Sequence, residues 1–186
     1  MAAATTDRLQ IRSPEGMPAP PEPVAPAPGL DRLEGKHIAF LSNTKPNIDL
    51  LLKTYAELLQ ERYGIRATHE RKINAAVGAG PLVKELAGDA DAVVTGIADC
   101  GGCTAQTARD SVAFEAEKVP TVFVTTTAFE PLALNQVEYS EAQRVRMLVI
   151  PHPFESLSAD QVKERAGETV DEVVGLLADG AGREIG

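Results

Sequence analysis

Five short apolar runs, each followed by a more polar segment, constrain the fold of this chain more than any other feature. In chain order they are His37–Asn43, Ile65–Glu70, Ala92–Ala98, Pro120–Thr127 and Arg146–Ile150. Helical periodicity fills most of the intervals, and parallel strands need crossover connections of this kind. The alternation predicts an α/β fold, namely a doubly wound, mostly parallel five-stranded sheet of flavodoxin-like order 2-1-3-4-5.

The helical segments carry their own start and stop signals. Pro46 suits the first turn of a helix, and Gly64 is a typical residue just after one. Arg71–Gly80 shows no clear period, and a loop is one interpretation. The other predicted helices are Pro81–Ala87, the segment from Cys100 to about Lys118, Phe129–Arg144 and Ala159–Ala178.

Composition divides the chain into an arm, a domain and a tail. Residues 1–30 contain seven of the 13 prolines. Because proline has no N–H and a fixed φ, this arm is predicted to be extended or disordered. A solvated tail is the simpler interpretation, and packing on a partner subunit of a homo-oligomer is the alternative. Residues 31–180 are predicted to form a single α/β domain, and residues 181–186 to fray.

Charge and hydropathy exclude several classes of partner. The net charge is −9 and there is no basic patch, which argues against nucleic acid. No apolar run approaches the ~20 residues of a membrane span, and the N-terminus lacks the apolar region of a secretory signal. A cytoplasmic location is therefore expected. In that reducing compartment, a C-x-x-C pair indicates redox, metal or catalytic chemistry.

The third apolar run ends in Asp99, Cys100, Gly101, Gly102 and Cys103, which include the only two cysteines. A strand, a tight turn and a helix place both thiols in the first helical turn, where N–H groups and the helix dipole favour a thiolate. Cys100 is the predicted nucleophile and Cys103 the resolving thiol. The two glycines would let a substrate approach the backbone N–H groups. Two buried, inert cysteines are the alternative.

Other polar residues follow the predicted strands. Because the carboxyl ends of parallel strands meet at one edge, they are expected to share a crevice with the cysteines. His152 could act as a general acid or base, or merely cap or pack. Lys45 could bind an anion, or be solvated. His37 lies at the opposite edge and is excluded. The residues following the strands are Asn43, Lys45, His69, Glu70, Arg71, Lys72, Asp99, Thr125, Thr126, Thr127 and His152.

Asp99 is ambiguous in the sequence. A carboxylate next to Cys100 would raise the thiol pKa by repulsion, but it could also cap the helix or orient a partner.

Metal and nucleotide cofactors are not expected. Structural zinc normally needs four nitrogen or sulfur ligands, and a second C-x-x-C is missing. A site formed by Cys100, Cys103 and His152 stays open. No G-x-G-x-x-G or Walker pattern is present, which disfavours nucleotide binding.

Four stretches of the chain resemble the UGSC family, named for the Sec-Gly-Ser-Cys motif of its selenoprotein members. Gly96–Thr104 resembles the core motif, Ser42–Asn47 the first-strand loop, Arg71–Lys72 a basic pair and Ile150–Phe154 the closing Pro-His-Pro. The resemblance covers roughly residues 35–178. It implies a reactive chalcogen at Cys100, which stands in the selenocysteine position, whereas Gly102 lacks the hydroxyl of the motif serine.

Three functions fit these residues. The first is a small cytoplasmic thiol-dependent enzyme, such as an oxidoreductase, with Cys100 as nucleophile or redox centre on a small substrate. The second is a lyase or transferase in which Cys100 and His152 act without redox turnover. The third is a non-catalytic module that binds metal or a partner. The predicted substrate-binding residues are Asn43, Lys45, Lys72, Asp99, Gly101, Gly102, Thr104 and Thr126.

Overall fold

The computed structural model describes residues 23–140, 142–178 and 183–184. Its parallel strands are β1 (His37–Ser42), β2 (Arg66–Arg71), β3 (Ala92–Ala98), β4 (Thr121–Thr126) and β5 (Arg144–Ile150). Its helices are α1 (Ile48–Tyr63), α2 (Pro81–Ala87), α3 (Gly101–Ala116), α4 (Glu130–Tyr139) and α5 (Ala159–Ala178). The strand order β2-β1-β3-β4-β5 confirms the flavodoxin-like prediction.

The sheet is covered on both faces, as its continuous apolar runs require. Every residue of β1, β3 and β4 is buried. Helices α1 and α5 pack on one face, against side chains such as Phe40 and Val94, and α2, α3 and α4 pack on the other. Within the described residues, no helix has the length and apolar character needed to cross a bilayer.

The fourth helix is shorter than predicted. It ends at Tyr139 rather than Arg144. Ser140 leaves the helical conformation with ψ 6°, and after it Ala142 forms a β-bridge with Val24 and the N–H of Gln143 donates to the carbonyl of Val24. The strand β5 therefore begins at Arg144, two residues earlier than expected.

Most of the predicted arm, residues 1–22, lies outside the described residues. Residues 23–30 pack on the domain, so the packed region begins before the predicted boundary at residue 31. The N–H of Ala27 donates to Glu115 Oε2 at 2.6 Å, and its carbonyl accepts from Arg146 Nη2 at 2.6 Å. Glu115 and Arg146 form a buried ion pair between α3 and β5. This pair supplies both the acceptor and the donor that hold the segment.

The predicted frayed tail falls mainly outside the described residues. Arg183 and Glu184 form a short strand, β6, which pairs antiparallel with Arg144 and Val145 at the start of β5.

Candidate functional site

Cys100 occupies the N-cap position of α3. Its backbone is extended, with φ −157° and ψ 167°, and its Sγ accepts the N–H of Cys103 at 3.3 Å. The residue is partly exposed, whereas Cys103 is buried. The sulfur therefore lies at the positive end of the helix dipole with a backbone donor directed at it, an arrangement that stabilises an anion.

Cys103 has a different environment within the same turn. Its Sγ donates to the carbonyl of Cys100 at 3.2 Å and accepts the N–H of Asp99 at 3.3 Å. Burial, together with the hydrogen bond to Cys100, raises the pKa of the Cys103 thiol to about 11. Cys103 is thus a neutral thiol near pH 7, and the two cysteines are chemically unequal.

The raised pKa of Cys103 predicts how stability depends on alkaline pH. The unfolded chain loses this thiol proton near the ordinary pKa of ~8.5, before the folded chain does, so the contribution is complete below that value. We expect it to be lost as pH rises from about 8.5 to 11, so that the free energy of unfolding falls over this window. Urea titrations at a series of pH values measure the fall. Cys103→Ser should flatten it, and an equal fall in that variant would contradict the assignment.

Asp99, Thr126 and His152 form a hydrogen-bonded group beside Cys100. Asp99 Oδ1 accepts from the Thr126 hydroxyl at 2.7 Å and from His152 Nδ1 at 2.8 Å. The Asp99 side chain is buried, while that of His152 is 37% exposed. The N–H of His152 also donates to Thr127 Oγ1 at 3.2 Å. Of the roles open to Asp99, the geometry shows the orientation of a partner, His152. Within the described part of the chain, no hydrogen-bond partner of His152 Nε2 is found.

Lys45 and Asn47 connect the loop after β1 to the loop after β5. Lys45 Nζ pairs with Glu155, and the Asn47 amide donates to the carbonyls of Phe154, Glu155 and Leu157 at 3.2, 3.2 and 2.9 Å. Burial acts to lower the pKa of Lys45, but the Glu155 hydrogen bond and the charges of the two thiols outweigh it, and the pKa is raised. Lys45 therefore lies within electrostatic range of Cys100, with its charge balanced by Glu155.

Asn43 is fully buried beneath this turn and supports it. Its Oδ1 accepts the N–H of Ile97 at 2.9 Å, and its Nδ2 donates to the carbonyl of Ile97 at 2.8 Å and to Thr107 at 3.1 Å. These bonds hold β3 where its register against β4 shifts between Thr95 and Ala98. Asn43 thus contacts the backbone that precedes Cys100, and its role in substrate binding stays a prediction.

Gly101 and Gly102 are exposed at the start of α3. A Cβ built on Gly101 would meet no atom within 4 Å, and one on Gly102 would lie 3.8 Å from Ala76 Cβ. The space beside the first N–H groups of the helix is therefore open. Thr104 is buried, and its hydroxyl donates to the carbonyl of Cys100 at 2.6 Å, so it supports the turn from inside.

Lys72 does not join this group. Its side chain is buried in an ion pair with Asp110 on α3, and its backbone N–H bonds to the carbonyl of Ser42. The chain turns inward after β2 and directs this lysine under the loop that leads to α2. The predicted role of Lys72 in substrate binding therefore has no exposed ammonium group to support it.

The end of β2 lines a separate groove of about 290 Å³ on the α1 side of the sheet. The His69 ring stacks on Phe40 with centroids 5.4 Å apart, and Arg71 pairs with Asp49 at 3.5 Å. Hydrogen bonds and an ion pair join the loops after β1, β3, β4 and β5. The end of β2 lines the separate groove, and Ala76, further along the loop after β2, approaches Gly102. The groove is lined by Phe40, Ser42, Asp49, Leu52, Lys53, His69, Glu70 and Arg71.

Several contributors to the site were missed from the sequence. Asn47 could have been found as an amide at a helix start, a position where such residues often bond to backbone. Glu155, Asp110 and Phe129 carry no local signal, because their partners are distant in sequence. The Phe129 ring lies 5.9 Å from that of His152 and flanks it.

The described residues contain no cluster of three or more His, Cys, Asp or Glu side chains arranged to hold a metal ion. In comparisons with known proteins, the profile of the UGSC family matches residues 10–179. The comparison of this chain with curated proteins gives no match.

Proposed function

This chain belongs to the UGSC family, and we propose that it is a thiol-dependent enzyme in which Cys100 attacks a small substrate at the N-terminus of α3. The observation that carries the proposal is the unequal environment of the two thiols. Cys100 is partly exposed and receives a backbone N–H, whereas Cys103 is buried, with its pKa raised to about 11. Only Cys100 combines access with stabilisation of the anion.

His152 supplies proton transfer in this proposal. With its Nδ1–H donated to Asp99, the free Nε2 can accept the Cys100 proton or return one to a leaving group. Thr126 donates to the same carboxylate oxygen and so helps to fix its position. The Phe129 ring limits the movement of the imidazole from one side.

A disulfide substrate shows how the pair of thiols would turn over. The Cys100 thiolate attacks one substrate sulfur, the substrate S–S bond breaks, and the departing thiolate takes a proton. Cys103, once deprotonated, attacks Cys100 of the mixed disulfide, releases the second thiol and leaves a Cys100–Cys103 disulfide. Two electrons pass from the protein to the substrate, and a small-molecule thiol of the cell would restore the dithiol.

A cytoplasmic location is part of the proposal. The cycle needs a reducing compartment that returns both cysteines to free thiols after each turnover.

The Asp99–His152 pair favours one other candidate, a lyase or transferase without redox turnover. A dithiol exchange does not need an imidazole held by a buried carboxylate, whereas acid–base chemistry does. In this alternative, Cys100 forms a covalent adduct or stabilises one, His152 moves the proton, and Cys103 only supports the turn.

Alkylation by iodoacetamide near pH 6 tests the proposal. Because the helix N-terminus and the N–H of Cys103 stabilise the thiolate, we expect Cys100 to react at least about tenfold faster than the same cysteine in a free peptide with the sequence of residues 97–105 and serine in place of Cys103. Intact-mass measurement should show one adduct, and the Cys103→Ser variant should react at a similar rate. A rate equal to that of the peptide would contradict the activated thiolate.

A further inference from the structure

One carboxylate holds both ends of the β2–α2 loop, residues 72–80. Asp110 of α3 pairs through Oδ2 with Lys72 at the start of the loop, and its Oδ1 accepts the N–H of Ala79 near the end at 2.9 Å. Gln106, one turn earlier in α3, donates to the same oxygen at 3.1 Å. The loop is therefore attached to the helix that carries Cys100 at its N-terminus.

The middle of this loop presents apolar side chains to solvent. Ile73 is 89% exposed and Val77 is 45% exposed. Asn74 shapes the turn between them, since its Oδ1 accepts the N–H of Ala76 at 2.9 Å. Ala76 lies next to Gly102, because a Cβ on Gly102 would be 3.8 Å from its Cβ. Ala76, which lies between Ile73 and Val77 in the chain, thus brings the loop up to Gly102 in the first turn of α3.

The side-chain charges nearby do not favour an anionic ligand. Lys45 is paired with Glu155, and Lys72 is paired with Asp110 and buried. The two lysines that the sequence offers for anion binding are both balanced by carboxylates. Apolar surface at the loop tip remains available for recognition, and its burial by a ligand is favourable.

We propose that Ile73 and Val77 bind an apolar part of the substrate, so that the substrate of Cys100 is a small electrophile carrying an aliphatic or aromatic group. This inference rests on the proposed function for the identity of the reacting atom. The loop is attached to α3 before substrate arrives, so the apolar contact would place the electrophilic atom near the Cys100 sulfur at little cost in ordering.

Labelling of Cys100 by N-alkylmaleimides tests the inference. The thiolate adds to the maleimide double bond, solvent supplies a proton, and the alkyl group is the only variable. For the wild-type protein we expect N-hexylmaleimide to react about five- to tenfold faster than N-methylmaleimide, after division by the ratio for a free thiol peptide. Ile73→Ser/Val77→Ser should abolish this preference and leave the iodoacetamide rate unchanged.

Tyr139→Ser is the matched control. Tyr139 is 68% exposed at the C-terminal end of α4, at the opposite edge of the sheet, so its removal should leave the preference intact. A wild-type protein without the preference, a double variant that keeps it, or a control that loses it would each overturn the inference. Slow reaction with iodoacetamide would instead contradict the proposed function. The maleimide test would still stand in that case, because maleimide addition needs only an accessible thiol, and the ratio of the two maleimide rates still decides the role of the loop.

Discussion

Cys100→Ser is expected to abolish covalent labelling and thiol-dependent turnover, a loss of at least about a thousandfold, because hydroxyl oxygen is a far weaker nucleophile than a thiolate. Cys103 cannot replace it, since it is buried and its pKa is raised to about 11. Dithiodipyridine gives a direct readout, as each attack on sulfur releases one thiopyridone. We expect two equivalents from the wild-type protein and none from Cys100→Ser.

Cys103→Ser separates the two candidate reactions in the same assay. In a dithiol mechanism this variant stops at the mixed disulfide on Cys100 and releases one equivalent. In a lyase or transferase, Cys103 does not resolve the adduct, and the wild-type protein also releases one. A single equivalent from the wild-type protein would contradict Cys103 as the resolving thiol, and any release from folded Cys100→Ser would contradict Cys100 as the nucleophile.

Arg146→Met is expected to lower the free energy of unfolding by about 3–5 kcal/mol, because it leaves Glu115 charged and buried without its cation. Both side chains of this pair are at most 3% exposed. Glu115 Oε1 also accepts the N–H of Thr121 at 3.0 Å, and Arg146 Nη2 holds the carbonyl of Ala27. Urea unfolding measures the loss, and limited proteolysis should show earlier cleavage within residues 23–30.

Arg165→Met is the matched control for this prediction. Arg165 pairs with Glu168 on the surface of α5, where the side chains are 28% and 53% exposed, so a loss of no more than about 1 kcal/mol is expected. If Arg146→Met does not fold, Arg146→Met/Glu115→Met should recover part of the stability, because no uncompensated charge remains. Equal losses for the two single variants would contradict the structural role of the buried pair.

The fold was predictable because its signals are local. Apolar runs of five to eight residues and periodic helical segments specify elements, and crossover connections specify a parallel sheet. The predicted end of α4 was wrong because Ala142 and Gln143 bond to Val24, a partner more than a hundred residues earlier that the periodicity of the segment does not reveal.

Only those features of the site that follow from strand order could be predicted from the sequence. The edge shared by Cys100, Thr126 and His152 follows from strand order, but the choice of Asp99 as the partner of His152 depends on side-chain geometry. Lys72 is the clearest example of a residue whose environment could not be predicted from the sequence. Its position after a strand predicted that it lies in the crevice, but its partner Asp110, 38 residues away, directs its side chain into the interior.

The amide of Asn47 joins two parts of the chain that are synthesised far apart. It bonds to three carbonyls of the segment after β5, more than a hundred residues later. A nascent chain that has emerged only through β4 contains Cys100 but neither His152 nor the segment that Asn47 fixes. The candidate site is therefore completed only after the chain through Leu157 has left the ribosome and docked, so Cys100 folds into its turn before His152 can join it.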